Sequence, residues 1–122
     1  FRCEFGKNIH IGNRFYANFD CILLDGGEIF IGDDVLFGPR VGIFTTNHAI
    51  DAMERAAGGC YSKNVTIGDG VWLGANVTIN QGVTIGKNTI VGSGSVIAVG
   101  NPCRVLRKIT EKDKTDYLFR KK

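Results

Sequence analysis

The segment VTIGDGVWLGANVTINQGVTIGKNTIVGSGSV, residues 65–96, repeats a pattern every six residues. An amphipathic helix would need apolar spacing near 3.6 residues, and an ordinary sheet would show longer alternating runs between irregular turns. The period of six instead predicts a parallel β-helix, in which each unit supplies one short strand and one corner. The aliphatic position of the unit is occupied by Ile67, Leu73, Ile79, Ile85 and Val91.

Two other positions of the six-residue unit are also restricted. The residue after each aliphatic is Gly or Asn, the two types that most readily accept left-handed or crowded backbone positions. These residues are Gly68, Gly74, Asn80, Gly86 and Gly92. The fourth residue after each aliphatic is small or β-branched, which suits a short strand packed against its neighbours. These residues are Val71, Val77, Val83, Thr89 and Ser95.

The same pattern extends less regularly toward the N-terminus. Its earlier units are Phe5-Gly6, Ile11-Gly12, Ala17-Asn18, Ile31-Gly32 and Phe37-Gly38, with a two-residue slip between Leu23 and Ile31. Residues 49–64, AIDAMERAAGGCYSKN, break the pattern, which then resumes in its original phase. We expect this segment to be a loop extruded from one corner, and long loops on rigid scaffolds often carry function.

The end of the repeat divides the chain into two parts. We assign residues 1–103 to the β-helix and residues 104–122 to a C-terminal capping tail. The stretch TEKDKTDYLFRKK, residues 110–122, has the composition of a short helix, which would cover the open end of the stack. Phe1 stands where an initiator Met is expected, so we interpret the chain as a fragment.

Composition limits the classes of function. With 122 residues and 43% hydrophobic side chains, the chain is expected to form one packed domain. No apolar run approaches the roughly 20 residues that cross a bilayer, and the four cysteines form no CxxC pair. A cytoplasmic protein with reduced thiols and no membrane partner fits best. The net charge of the chain is +3, and its positive end is local, because residues 104–122 carry eight Lys or Arg against three acidic residues. This segment has no nucleic-acid-binding motif, so no nucleic-acid partner is expected.

Five segments resemble the maltose and galactoside O-acetyltransferase family. They are IHIG (9–12), YANFDC (16–21), TTNHAIDAMERAAGG (45–59), IGDGVWLGANVTINQGVTIG (67–86) and AVGNPCRVLRKI (98–109). The hexads alone would indicate only the β-helix superfamily, because one fold hosts many chemistries. The resemblance implies an all-β, left-handed parallel β-helix, a homotrimer, and active sites in clefts between neighbouring subunits. It also implies transfer of an acetyl group from acetyl-CoA to a sugar hydroxyl.

Such a transfer requires a base that takes the hydroxyl proton, and histidine titrates near working pH. His48 lies directly before the extruded loop and matches the family's catalytic histidine. We therefore predict direct transfer with His48 as the general base and without an acyl-enzyme. Cys60 matches a loop residue near the acceptor in relatives, but the sequence offers no partner base beside it. His10 is expected to point outward from the coil, and we assign it no role.

The resemblance also implies residues that bind the acceptor and the cofactor. Asn18 would contact the acceptor or steady developing negative charge, although its corner position also explains it as a turn residue. Tyr16, Asp25 and Glu4 fall on the acceptor side. For coenzyme A, Trp72, Ala75 and Ser93 lie along the face that receives the pantetheine arm, and Arg104 and Arg107 match the phosphate contacts.

The chain departs from the family in two places and leaves alternatives open. Relatives carry a VTKDIPPNV-type segment between the equivalents of Val96 and Ile97, which here is either omitted or deleted. The N-terminal helical region that helps form the acceptor pocket is also missing. An acetyltransferase for an antibiotic or amino sugar, or a non-catalytic structural β-helix, remain alternatives. A zinc site of the carbonic anhydrase type needs three histidines and the chain has two, so no metal is expected.

Overall fold

The computed structural model describes residues 1–97, which form fifteen short strands and one helix. Their bounds are β1 Arg2–Cys3, β2 Ile9–Ile11, β3 Tyr16–Ala17, β4 Ile22–Leu24, β5 Ile29–Ile31, β6 Leu36–Phe37, β7 Gly42–Phe44, β8 Thr46–His48, α1 Ala52–Ala56, β9 Cys60–Ser62, β10 Val65–Ile67, β11 Trp72–Leu73, β12 Thr78–Ile79, β13 Thr84–Ile85, β14 Ile90–Val91 and β15 Val96–Ile97. The expected capping helix within residues 104–122 and the domain boundary at 103 lie outside the described residues.

Thirteen of the strands form three parallel sheets that the chain visits in rotation. Sheet A has the order β1-β4-β7-β12-β15, sheet B β13-β10-β5-β2, and sheet C β14-β11-β6-β3. The chain passes from A to B to C and back to A, so the coil is a three-sided prism. We name its corners AB, BC and CA after the sheets that each one joins.

Strand pairing shows how far the chain advances in each coil. Ile67 pairs with Ile85, an advance of 18 residues, or three units of six. Ile11 pairs with Ile31, an advance of 20, because corner AB holds two additional residues. Ile31 pairs with Ile67 across 36 residues, because the extruded segment also leaves from corner AB. All insertions between described coils therefore fall at the same corner.

The pairing corrects the assignment of the first unit. Cys3, not Phe5, pairs with Leu23 and so occupies the aliphatic position of the first coil. Phe5 lies in corner AB with 62% of its surface exposed. The first coil therefore contains the same two-residue insertion as the second. Phe5 fitted the period of six only because an apolar residue happens to stand six positions before Ile11.

The corner glycines are explained mainly by crowding. A Cβ on Gly68 would lie 2.7 Å from the backbone nitrogen of Lys87 in the next coil, so no side chain fits there. The left-handed backbone occurs two residues later in the unit, at Gly70 with φ +68° and at Asn76 and Asn88 with φ 60°. The corners that begin at Gly68 and Gly74 therefore each have one crowded position and one left-handed position.

The aliphatic and β-branched positions of the unit fill the inside of the prism. Val65, Val71, Leu73, Val77 and Ile79 are fully buried. Burial of each such side chain contributes roughly 1.5–3 kcal/mol to folding. The stacked coils thus share one continuous core, which holds the corners in place. No helix among residues 1–97 has the length and apolar character to cross a bilayer.

Candidate functional site

The segment that interrupts the repeat forms an arm with regular structure. Strands β8 and β9 pair as an antiparallel hairpin that projects from corner AB, and α1 lies at its tip. The hairpin begins at Thr46, three residues before the break in the hexapeptide pattern. We call residues 46–62 the catalytic arm, because they include His48, which the sequence analysis predicts to be the general base.

Hydrogen bonds within the arm hold its tip in one conformation. Asp51 caps α1, and its Oδ2 accepts a bond of 3.0 Å from the Glu54 nitrogen. The Arg55 guanidinium donates to the carbonyls of Ala49 and Ile50, at 3.1 and 3.0 Å. These bonds join the helix to the residues that directly follow His48, so the arm is internally braced.

Three buried polar side chains stand at corner AB, and we call them the AB column. They are Asp25, Thr45 and Gln81, each placed two residues after an aliphatic that faces the core. The Thr45 hydroxyl donates to the Leu24 carbonyl at 2.7 Å and accepts from the Gly27 nitrogen at 2.8 Å. Because Thr45 directly precedes β8, these bonds fix the point at which the catalytic arm leaves the coil.

Asp25 stabilises the corner of the preceding coil. Its buried carboxylate accepts hydrogen bonds from the backbone nitrogens of Glu4, Phe5 and Asn8, at 3.2, 2.9 and 3.2 Å. Burial by itself raises the pKa of Asp25, but these bonds, led by the one from Phe5, leave that pKa below its usual value. Asp25 exposes no surface to a ligand, so we do not assign it to the acceptor site.

His48 is exposed at the end of β8, directly opposite Cys60 on β9. Glu4 lies in the same corner AB of the prism, two coils before the arm, and is also exposed. The structure therefore brings these two predicted site residues to one corner. Residues Gly26 and Gly27 were not predicted to matter, but the base of the arm passes over both: a Cβ on Gly27 would lie 3.2 Å from the Ser62 Cβ.

The outer face of sheet C carries a row of exposed apolar side chains. Tyr16, Leu36, Trp72 and Ile90 are cross-strand partners in successive coils and are each about half exposed. We call them the sheet C column. Two of its members are predicted site residues, Tyr16 for the acceptor and Trp72 for the cofactor.

Corner CA adjoins the sheet C column and contains the remaining predicted site residues among residues 1–97. The Asn18 side chain accepts a 2.7 Å bond from the Phe19 nitrogen, and the left-handed residue of this corner is Asp20. Ala75 and Ser93 lie at matching positions of successive coils, joined by a 2.8 Å bond from Gly94 to the Ala75 carbonyl. A Cβ on Gly74 would lie 2.7 Å from the Ser93 hydroxyl oxygen, so small residues keep this edge narrow.

The predicted site residues thus form two groups on opposite sides of one chain. His48 and Glu4 lie at corner AB, whereas the second group follows sheet C and corner CA. Sheet C is the side of the prism opposite corner AB, so the two groups do not meet within one subunit. Arg104 and Arg107 lie outside the described residues. Within residues 1–97 no cluster of histidine, cysteine and acidic residues has the arrangement of a metal site.

Comparison with known proteins places the chain in a family. Galactoside O-acetyltransferase of Escherichia coli is 45% identical over 93% of this chain and 61% of that protein. The solved maltose O-acetyltransferase of Clostridium difficile is 50% identical with a TM-score of 0.83, over 90% of this chain and 64% of that one. A solved hexapeptide-repeat acetyltransferase from Vibrio cholerae is 39% identical with a TM-score of 0.73, over 90% of this chain and 68% of that one. The chain belongs to the hexapeptide-repeat acetyltransferase family.

This membership confirms the predicted fold class, a left-handed parallel β-helix. A family model described as bacterial transferase hexapeptide, six repeats, matches residues 64–98 of this chain. That match coincides with the regular 18-residue coils, which follow the catalytic arm. The chain spans about three fifths to two thirds of the length of the curated relatives named here.

Proposed function

We propose that this chain is the β-helix part of an acetyl-CoA-dependent enzyme that acetylates a hydroxyl group of a sugar. The observation that carries the proposal is the exposed His48 on an arm that is fixed at its base by Thr45 and braced at its tip by Arg55. Relatives named as galactoside and maltose O-acetyltransferases support a sugar acceptor. Acetyl-CoA as a substrate is consistent with a cytoplasmic enzyme.

In this mechanism His48 takes the proton of the sugar hydroxyl while the hydroxyl oxygen attacks the acetyl carbonyl. The thiolate of coenzyme A leaves and accepts that proton from His48, so the transfer is direct and no metal takes part. A positioned general base of this kind contributes about a hundredfold or more to the rate. The Asn18 amide would donate a hydrogen bond to the negative charge that develops on the carbonyl oxygen.

Coenzyme A would lie along sheet C and corner CA. The Vibrio cholerae relative was solved in complex with acetyl-coenzyme A, which supports a cofactor site in this fold. Trp72 offers an exposed indole for packing, and Ala75 and Ser93 leave a narrow edge for the pantetheine arm. Arg104 and Arg107 would contact the phosphates, for which guanidinium groups are well suited.

A homotrimer would complete the active site. His48 and Glu4 lie opposite the sheet C group in one chain, so the two groups can meet only across a boundary between copies. The sheet C column supplies an apolar surface at that boundary. We therefore place the reaction in the cleft between one subunit's catalytic arm and the neighbouring subunit's sheet C, where Tyr16 and Glu4 would contact the acceptor.

The first test follows release of coenzyme A from acetyl-CoA by the full-length protein with a panel of sugars. We expect His48→Gln to lower the sugar-dependent rate by about a hundredfold or more, because the base is lost. His10→Gln is the matched control. The His10 ring stacks on Phe30 at 4.9 Å and lies 3.1 Å from Glu28, on the outer face of sheet B, so its variant should keep the wild-type rate.

Each other outcome selects a different function. A protein that binds acetyl-CoA but acetylates no sugar would indicate another acceptor, such as an antibiotic or amino sugar. A protein that does not bind acetyl-CoA would indicate a non-catalytic structural β-helix. Unchanged turnover in His48→Gln would refute the role of His48 as the base.

A further inference from the structure

The catalytic arm places Cys60 beside His48 more closely than their separation in sequence suggests. Lys63 donates to the Thr45 carbonyl and Ala49 to the Gly59 carbonyl, each at 2.9 Å, and these bonds identify the hydrogen-bonded pairs of the hairpin. Pairs alternate along an antiparallel ladder, so His48 and Cys60 form a non-hydrogen-bonded pair. In such pairs the two side chains share a face, and their Cβ atoms are roughly 4.5–5.5 Å apart.

The neighbouring pair on the same face shows that side chains do meet across this hairpin. Thr46 and Ser62 are also a non-hydrogen-bonded pair, and their hydroxyl oxygens are 2.7 Å apart. Residues 46, 48, 60 and 62 therefore line one surface of the arm. Both Cys60 and His48 are exposed on that surface, so an incoming molecule can reach them.

A thiol beside an imidazole is the arrangement of an activated nucleophile. The thiolate is the reactive form of cysteine, and a neighbouring imidazole can take the thiol proton. The other described cysteines lack such a partner. Cys3 is exposed but pairs with Leu23, and Cys21 is buried with its sulfur 3.4 Å from the Asn18 carbonyl oxygen.

We propose that Cys60 itself accepts the acetyl group from acetyl-CoA when no sugar occupies the site. This inference rests on the proposed function, since it uses the same base and the same acetyl donor. His48 takes the proton of the Cys60 thiol, the sulfur attacks the acetyl carbonyl, and a new carbon–sulfur bond forms. The bond between the acetyl carbon and the coenzyme A sulfur breaks, and the leaving thiolate accepts from His48 the proton that came from Cys60.

Acetylation of Cys60 would stop transfer to sugar, because the acetyl group would stand beside the base that the sugar hydroxyl must reach. One thioester is exchanged for another, so the step is close to balanced in free energy and free coenzyme A can reverse it. The arm would therefore be blocked at a high ratio of acetyl-CoA to coenzyme A and reopened when coenzyme A accumulates.

The experiment incubates the full-length protein with acetyl-CoA and no acceptor, and then locates acetyl groups by peptide mass spectrometry without added thiol. We expect one acetyl group on Cys60, none on Cys3, and removal of the group on addition of coenzyme A. Cys60→Ser should abolish the modification, and His48→Gln should slow it by about a hundredfold. Cys3→Ser is the matched control and should leave acetylation of Cys60 unchanged.

The inference is overturned if a wild-type protein that binds acetyl-CoA leaves Cys60 unmodified. It is also overturned if Cys3 is acetylated as fast as Cys60, or if His48→Gln reacts at the wild-type rate, because the thiol would then react without a partner base. Sugar-dependent release of coenzyme A is measured on the same preparation. Sugar turnover without Cys60 acetylation would leave the proposed function intact. Acetylation of the wild type, with no sugar turnover in Cys60→Ser, which cannot be blocked, would support this inference and refute the sugar acceptor.

Discussion

At the scale of single residues, Asp25 shows why a polar residue in a matching segment is not thereby a site residue. In the sequence Asp25 follows an aliphatic run and precedes two glycines, and this position is compatible with a binding role and with a role in a turn. Its carboxylate serves three backbone nitrogens of the coil before it. Those partners are 17 to 21 residues away and became visible only when the register of corner AB was known.

We expect Asp25→Asn to lower the free energy of unfolding by about 2 kcal/mol, because buried backbone donors lose a charged acceptor. The lowered pKa of Asp25 gives this contribution a pH dependence. The contribution is present above the unfolded carboxyl's pKa of about 3.9 and is lost as the pH falls through the lower folded value. Denaturant unfolding should therefore give free energies for the wild type and Asp25→Asn that differ at neutral pH and converge at acidic pH.

Asp20→Asn is the control for this prediction. Asp20 is exposed at corner CA with φ 61°, and asparagine tolerates that conformation well. Its variant should stay within about 0.5 kcal/mol of the wild type at all pH values. Equal destabilisation of both variants would mean that the bonds of Asp25 contribute little.

At the scale of elements, the period of six was sufficient to predict the strands and the inward-facing residues of the second half of the chain. It was not sufficient for the first coil, where Phe5 satisfied the pattern and Cys3 occupies the position. Nor did it predict the hairpin, because three-residue strands such as β8 carry too little alternation to be recognised without their partner. Thr45 was overlooked because its burial depends on the corner that lies over it.

Thr45→Val should test how the base of the arm is anchored to the coil. The variant keeps the shape of the side chain but removes its bonds to the Leu24 carbonyl and the Gly27 nitrogen. We expect a loss of about 1–3 kcal/mol in unfolding free energy, and faster protease cleavage within residues 46–62. Thr84→Val, on an exposed position of β13, should change neither measurement.

The Thr45 prediction fails if both valine variants are cleaved at the wild-type rate. In that case the bonds within the arm, and not those at its base, would hold its conformation. Deletion of the Arg55 guanidinium in Arg55→Met would then be the change that releases the tip, since it donates to the carbonyls of Ala49 and Ile50.

At the scale of the whole molecule, the prism has one side whose exposed residues are mainly apolar along its full described length. The resemblance predicted a homotrimer, but no periodic signal identified which side would face the neighbouring copy. The sheet C column became apparent only when residues from four coils were aligned by strand pairing.

Replacement of Ile90 by Lys should weaken the association of subunits, because a charge would enter the apolar boundary and roughly 1.5–3 kcal/mol of burial would be lost in each copy. Light scattering and sedimentation should show dissociation of the variant at concentrations at which the wild type remains associated. Thr84→Lys places the same charge on sheet B and should not alter the mass. Association that resists Ile90→Lys would exclude sheet C as the boundary.

The unbroken strand pairing across the catalytic arm has a consequence for how new specificities can arise. Strands β5 and β10 pair in register although 36 residues separate their equivalent positions, because the ladder depends on the residues it joins and not on the path between them. An arm of different length and composition can therefore replace residues 46–62 without shifting any strand. Under the proposed function, the arm's contribution to acceptor preference can be exchanged as a unit, while the coil keeps the residues proposed to bind acetyl-CoA.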